Sequence, residues 1–456
     1  MFPQQYTFDT LVRGLRTPTA FAFLPNGNVI VNQKADSSKI YTLNNQLVSC
    51  FWNFSDSIVV FAETGLIGVC IDPNYASNNY IYLYYTHNTP ASIRVVRLTN
   101  NNNQGINPLI IFNQTVSMMS SNHVAGNIHF GKDNKLYISI GDMNLSAQAQ
   151  SLSSFRGKIL RINSDGSIPT DNPFYDDGNP LTGNDDRIWA YGLRNSFDFT
   201  FSPFNDSLYA TENGPAANDE INFIRKGKNY GWPVCSGFCV PYNPLYKQPM
   251  DTLPGQGMIG GNFAPTGILI YNGSVMPELH GKLIVAGSGG QDQPWQGIYK
   301  CELGNPPFFD TIISRTKISN FHYFTTVLRG ADGYIYLAKI SPAGMILRMK
   351  PSTIGVSDPS QPVNFSLSQN YPNPFNPVTK IKYEMPKPAF VTLKVYNALG
   401  MEVTALVNEQ KQMGSYEVEW DASNYPRSGV YFYELVAGDP SATLRVSVRK
   451  KMVLVK

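Results

Sequence analysis

The sequence predicts an all-β protein, a six-bladed β-propeller followed by a small immunoglobulin-like β-sandwich, and three observations carry that prediction. The composition is that of short strands and turns: 26 Tyr, 26 Phe, 37 Gly and 32 Pro among 456 residues, with few helix-forming blocks. One phrase recurs six times: an apolar strand, a turn holding Pro, Gly or Asn/Asp, then a second alternating strand. Beyond Lys350 the composition changes and a separate set of strands begins.

The six copies occupy 21–31, 69–86, 128–142, 199–214, 276–287 and 327–340. Each reads as a hairpin whose turn can take positive φ. A hairpin cannot bury its own apolar faces, so repeated sheets must pack on one another. Radial packing hides most strand edges, which predicts six blades over 1–350. The irregular spacing predicts long insertions at 141–187 and 231–264, of the kind that gather at a channel mouth where sites are built.

The segment 351–364, rich in Pro, Ser and Asn, reads as a linker. From 365 to 456 the strands KIKYEM, FVTLKVYNALG, YEVEWDAS, GVYFYELVAG and LRVSVRKKMVLVK follow. Turns at Ala398-Leu399-Gly400 and Arg427-Ser428-Gly429 make these an antiparallel sandwich. No cluster of His, Cys or paired acids lies there, so chemistry is expected in the first 350 residues.

Several function classes are excluded. Net charge is +3 with 15% charged residues, and no Lys/Arg run precedes Arg449-Lys450-Lys451, which argues against nucleic acid. No run of 18 apolar residues exists, so no membrane-spanning helix is expected. The start, MFPQQYTFDT, lacks the basic-then-apolar pattern of a signal peptide. Cys50, Cys70, Cys235, Cys239 and Cys301 are too few for a disulfide scaffold and wrongly spaced for zinc; Cys235 and Cys239 are either a small disulfide or two thiols in a turn.

The richest stretch is 191–233, where Arg194-Asn195, Gly214-Pro215, Asp219-Glu220 and the turn 229–233 place charged and amide groups between apolar strands. Such a cluster is how a site looks. Adjacent acids, as in Asp185-Asp186 and Asp219-Glu220, tend to diverge, which disfavours a glycosidase pair.

Two resemblances add to this reading. Asn370 to Pro377, Val395 to Gly400, Ser428 to Tyr431 and Lys450 to Lys456 make the C-terminal domain resemble the sorting domain of the type IX secretion system. That resemblance implies a protein handed to secretion machinery, exported, and released or held at the cell surface.

The first 350 residues resemble the glucose/sorbosone dehydrogenase family. The carrying motifs are Gly65 to Gly68, His123 with Ala125-Gly126, Gly157 to Arg161, Asp165 to Pro169, Asp171 to Phe174, Gly192 to Asn195, Glu212 to Pro215, Asp219 to Asn222 and Asn229 to Pro233. The resemblance implies oxidation of a sugar at its anomeric carbon, with hydride passing to pyrroloquinoline quinone (PQQ) and calcium assisting. His123 matches the catalytic base, and imidazole suits that task. Arg194 and Asn195 match groups that contact cofactor and substrate, and Glu63 would face the same channel. Gly214 and Pro215 match carbonyl ligands of calcium, and Glu220 a carboxylate ligand. His129 lies on a strand and reads as structural, while His87, His280 and His322 have no motif behind them.

The chain departs from the family pattern at three positions. The fifth-blade lysine is absent from Ala286 to Asp292, the arginine pair before Gly330 is replaced by Tyr323 to Thr326, and Asn127 stands where an arginine follows Ala-Gly. A pocket for three carboxylates needs cations. These departures define the alternative, a calcium-stabilised propeller without catalysis that binds a glycan or protein at the cell surface.

Overall fold

The structure is a computed structural model. It describes all residues except 1–5, 55–56, 118–119, 121, 216–217, 254–262, 290–294, 341–342, 353–364, 386–388, 413, 426–427 and 439–445. The proposed linker therefore falls largely outside the described residues, as do Gln291 and Asp292.

The chain is all-β, with one four-residue α-helix, Tyr75–Asn78, and two short 3-10 turns among the described residues. It divides into two compact units, Met1–Ser352 and Thr353–Lys456. The first holds six four-stranded antiparallel sheets. The first sheet runs Pro18–Phe23, Val29–Gln33, Ser37–Tyr41 and Leu47–Asn53, and the second starts from Leu66–Ile71 and Tyr80–His87. The third is Ile128–Phe130, Leu136–Ile140, Lys158–Ile162 and Ile188–Tyr191; the fourth begins Phe199–Phe201, Leu208–Glu212 and Glu220–Ile224. The fifth begins Pro265–Ile270 and Leu283–Gly287. In the sixth, Phe324–Arg329, Ile335–Lys339 and Gly344–Pro351 are completed by the N-terminal strand Tyr6–Leu15, paired Tyr6 to Pro351.

Burial explains the strand patterns. The second strands of the third to sixth sheets are buried at every residue, because a neighbouring sheet covers each face. They read as continuous apolar runs for that reason. The outer strand Gln104–Thr115 is mostly exposed. First strands pack on first strands of neighbouring sheets, and the sixth sheet also packs on the first. Between the third and fourth sheets Ser139 Oγ donates to Ser196 O, and the buried cluster of Tyr137, Ile159, Phe199 and Leu208 spans both.

One of the six expected hairpins is absent at its expected place. The segment 276–287 is not a hairpin: Pro277–Leu279 is a 3-10 turn leading into Leu283–Gly287, and the partner strand is Pro265–Ile270.

The second unit has two sheets. One pairs Ser366–Leu367, Val378–Met385 and Gly414–Asp421; the other orders Glu402–Lys411, Ala389–Asn397, Gly429–Ala437 and Val446–Leu454. Alternate residues of Val378–Met385 are buried, and Tyr383, Leu393, Trp420, Tyr433 and Met452 form one core.

Candidate active site

Antiparallel pairing brings the start of each first strand beside the end of its second strand. Leu66 faces Tyr85, Ile128 faces Ile138, and Phe199 faces Ala210. The loops at that end carry Glu63, His123, Asp142, Arg194-Asn195 and Glu212 to Pro215. The topology thus gathers most of the polar motif residues.

His123 sits in a strained loop. Its φ is +57° and that of Ala125 is +49°, left-handed values that cost about 1–3 kcal/mol each and persist only where neighbours over-determine them. Here they do. Glu63 Oε2 accepts the His123 backbone N–H at 2.7 Å and Asn195 Nδ2 at 3.1 Å. Asn195 Oδ1 accepts the Ala125 N–H at 3.0 Å. Gly141 has no room for a side chain, since a Cβ would lie 2.1 Å from the His123 carbonyl oxygen.

The imidazole is oriented by Asp142, with Nδ1 2.7 Å from Oδ1. Trp232 Nε1 donates to Oδ2 at 2.8 Å, and the Asn144 N–H donates to Oδ1 at 2.9 Å. Burial pushes the Asp142 carboxyl up, but the hydrogen bonds from His123 and Trp232 outweigh it and hold the group below the ordinary range. An ionised Asp142 accepts a hydrogen bond from Nδ1–H, a tautomer that leaves Nε2 with its lone pair. Such an arrangement is chemically able to accept a proton at Nε2.

Arg194 lies beside this pair. NH1 donates to the carbonyls of Asn213 at 2.7 Å and Gly214 at 2.9 Å, and the guanidinium lies 5.4 Å from the Trp232 ring. Its Nε is buried without an acceptor among the described residues, and Asn213 Oδ1 is likewise unpartnered. Buried polar atoms are normally satisfied, so these two, lying beside the His123–Asp142 pair, are able to take a ligand.

Behind Arg194 lie three buried acids. Glu212 Oε1 accepts the Arg194 backbone N–H. Asp219 accepts N–H groups of Gly214 at 2.8 Å and Ala264 at 2.9 Å, while Glu220 accepts from Gly237 at 2.5 Å and Asn222 at 2.9 Å. Burial pushes Asp219 up to about 6 and Glu220 to about 7, and raises Glu212 well above the ordinary value. Glu212, Glu220, Gly214 and Ser236 border a cavity of about 10 Å³, room for one water-sized body.

Of the residues singled out from sequence, His123, Arg194, Asn195 and Glu63 form one hydrogen-bonded cluster, and Gly214 joins it through Arg194. Glu220 borders the small cavity, and Pro215 is exposed. His129 pairs elsewhere, with Asp198 at 3.0 Å. Cys235 and Cys239 are disulfide-bonded. Where the family has arginines, Thr325 and Thr326 donate to the carbonyls of Pro18 and Thr19 and tie the sixth sheet to the first. Asn127 donates to Asp198.

Sequence reasoning missed the roles of Asp142, Trp232 and Glu212. The available signal for Asp142 was a carboxylate placed directly after the buried strand Leu136–Ile140. It also missed Lys34 and Lys339, which stand where the second strands of the first and sixth sheets end, at the same end as His123.

Sheets and site together define an all-β protein, almost without helix, carrying a histidine–aspartate pair and a half-buried arginine at one end of its sheets. The family model for glucose/sorbosone dehydrogenase matches residues 15–348, and the chain belongs to that family. The model for a secretion system C-terminal sorting domain matches 369–449. Aldose sugar dehydrogenase YliI of Escherichia coli is 26% identical over 363 residues, covering 76% of this chain and 94% of its own. The crystal structure of a putative oxidoreductase (glucose dehydrogenase) from Thermus thermophilus shares 26% identity with a TM-score of 0.66, over 75% of this chain and 99% of that one. The PQQ-bound aldose sugar dehydrogenase of Streptomyces coelicolor, at 22% identity and TM-score 0.61 over 76% and 99% of the two chains, shares the fold. No helix among the described residues is long and apolar enough to cross a membrane.

Proposed function

We propose that this chain is a six-bladed propeller dehydrogenase, exported through its immunoglobulin-like sorting domain, that oxidises an aldose at the anomeric carbon with PQQ and calcium. The observation that carries the reading is the His123–Asp142 pair, 2.7 Å apart, beside an arginine with a buried, unpartnered Nε. Family membership and the activity named for the Escherichia coli relative support the substrate class, and the sorting domain supports export.

The residues fit an anionic planar cofactor at Arg194, whose orphaned Nε needs an acceptor and whose fork suits a carboxylate or quinone oxygen. PQQ, when bound, supplies the acceptor for the two electrons of the hydride. His123 Nε2 takes the proton from the anomeric hydroxyl, and the imidazolium that forms is stabilised by Asp142. Glu63 and Asn195 hold the His123 loop in position. The Glu220 carboxylate and the carbonyls of Gly214 and Pro215 would hold calcium, an ion that prefers oxygen; a cation there relieves the burial of Glu212 and Glu220.

The test is reconstitution of the full chain with PQQ and calcium, following cofactor absorbance and aldose-dependent reduction of a dye. A saturable spectral change together with lactone formation is expected. Absence of both would overturn the reading in favour of a binding module.

A further inference from the structure

The insertion between Lys158–Ile162 and Ile188–Tyr191 of the third sheet holds six aspartates with contrasting surroundings. Asp171 and Asp185 have arginine partners, Arg161 at 2.8 Å and Arg187 at 2.7 Å. Asp176, Asp177 and Asp186 form no ion pair among the described residues. Instead they converge, each offering a carboxylate oxygen within 4.8 Å of the others. Three negative charges so placed repel one another unless something lies between them.

The buried member is the informative one. Asp186 is 0% exposed. Its Oδ1 accepts the Asp176 N–H at 2.5 Å, but Oδ2 is buried and has no hydrogen-bond partner among the described residues. A buried carboxylate oxygen left unpaired is costly, and proximity to Asp176 and Asp177 adds to that cost. Two further oxygens are already oriented: Asp176 Oδ2 accepts the Asn184 N–H at 2.8 Å, and Asp177 Oδ1 accepts the Asn179 N–H at 2.8 Å.

We propose that Asp176, Asp177 and Asp186 bind a calcium ion, at a site separate from Glu220 and independent of the dehydrogenase reading. All-oxygen donors select a hard cation. Calcium accepts irregular oxygen geometry on a loop, whereas magnesium demands a near-ideal octahedron and keeps several waters, so this donor set suits calcium better. The ion would satisfy Asp186 Oδ2 and tie the insertion to the strand that begins at Ile188 and leads to Arg194. Its role is to brace that approach.

The test uses the full chain stripped with a chelator, then titrated with terbium, whose emission Tyr175 can sensitise because its hydroxyl lies over Gly178. Equilibrium dialysis with calcium counts the bound ions. Wild type should bind one calcium more than either Asp177→Asn or Asp186→Asn, and terbium emission should fall at least tenfold in both variants. Glu220→Gln should keep that emission, which separates this site from the other position. Calcium should displace terbium at concentrations at least tenfold below magnesium.

Melting adds a readout that a merely structural aspartate would not move. In chelator, Asp186→Asn should melt at or above the wild-type temperature, because repulsion is removed; in calcium it should lose the part of the wild-type gain that Glu220→Gln retains. Asp177 is exposed, so Asp177→Asn carries the test if Asp186→Asn does not fold. Equal calcium counts and equal emission in wild type and Asp177→Asn would overturn the proposal. So would a lower melting temperature of Asp186→Asn in both conditions.

Discussion

Two histidines six residues apart in the chain each pair with an aspartate, and the pairs differ in nearly everything but composition. His123 uses Nδ1 against Asp142 at 2.7 Å; His129 uses Nε2 against Asp198 at 3.0 Å. His123 stands on a left-handed loop residue braced by Glu63, whereas His129 lies within the strand Ile128–Phe130, edge-on to Phe199 at 4.8 Å. Asp142 is oriented by Trp232, beside Arg194. Asp198 also accepts from Asn127 and so joins the third sheet to the fourth. A paired imidazole is therefore not in itself a site. The free nitrogen must face reacting groups, and the backbone must be held where it would not otherwise rest.

The largest expected effect breaks the two pairs apart. His123→Ala should lower aldose-dependent dye reduction about 10³-fold, within the 10²–10⁴ typical of a lost general base, with melting temperature nearly unchanged. His129→Ala should retain activity and lose about 1 kcal/mol of stability. Steady-state kinetics and thermal melts on both variants decide it; equal activity losses would erase the distinction.

Next comes the carboxylate. Asp142→Asn offers an amide that can donate to Nδ1, which moves the imidazole proton to Nε2 and removes the lone pair proposed to accept the substrate's proton. Turnover should fall about 10²-fold or more while the fold persists. Asp198→Ala is the counterpart. It strips the buried Asn127 of an acceptor and should cost about 2–3 kcal/mol in denaturant unfolding, with activity per folded molecule kept.

Much of this was legible in the sequence, and the gaps have physical causes. The hairpins at 21–31 and 327–340 declared themselves because strand, turn and strand are contiguous. The fifth did not, because its first strand is separated from the second by a 3-10 turn whose Pro277 and Leu279 imitate an apolar strand. Glu402–Lys411 went unread because it buries only Val407 and lacks a clean alternation. In the site, His123, Arg194 and Asn195 belong to contiguous motifs. Asp142, Trp232 and Glu212 acquire their roles only when loops from different sheets meet, and linear spacing does not encode that meeting. The same holds for Asp176 and Asp186, ten positions apart and joined by a turn.

The smallest effect separates the site's carboxyls by sign. Asp142 lies below the ordinary range, so the folded state releases its proton more readily than the unfolded chain. Its contribution to stability is present above the ordinary aspartate pKa and is lost as pH falls through the lower, folded value. Glu220 is the reverse. Burial raises it to about 7, so between its ordinary value of 4.5 and 7 the folded state holds a proton that the unfolded chain has released, and stability falls as pH rises through that window. Melting of the chelated protein should therefore show an acid limb that Asp142→Asn flattens and a decline toward neutrality that Glu220→Gln flattens. Calcium competes for the ionised Glu220, so its stabilising effect at that position should grow from pH 5 to 7. A calcium effect that is constant across that range and survives in Glu220→Gln would remove Glu220 from the metal-binding set, leaving the histidine pair as the functional feature of this end of the sheets.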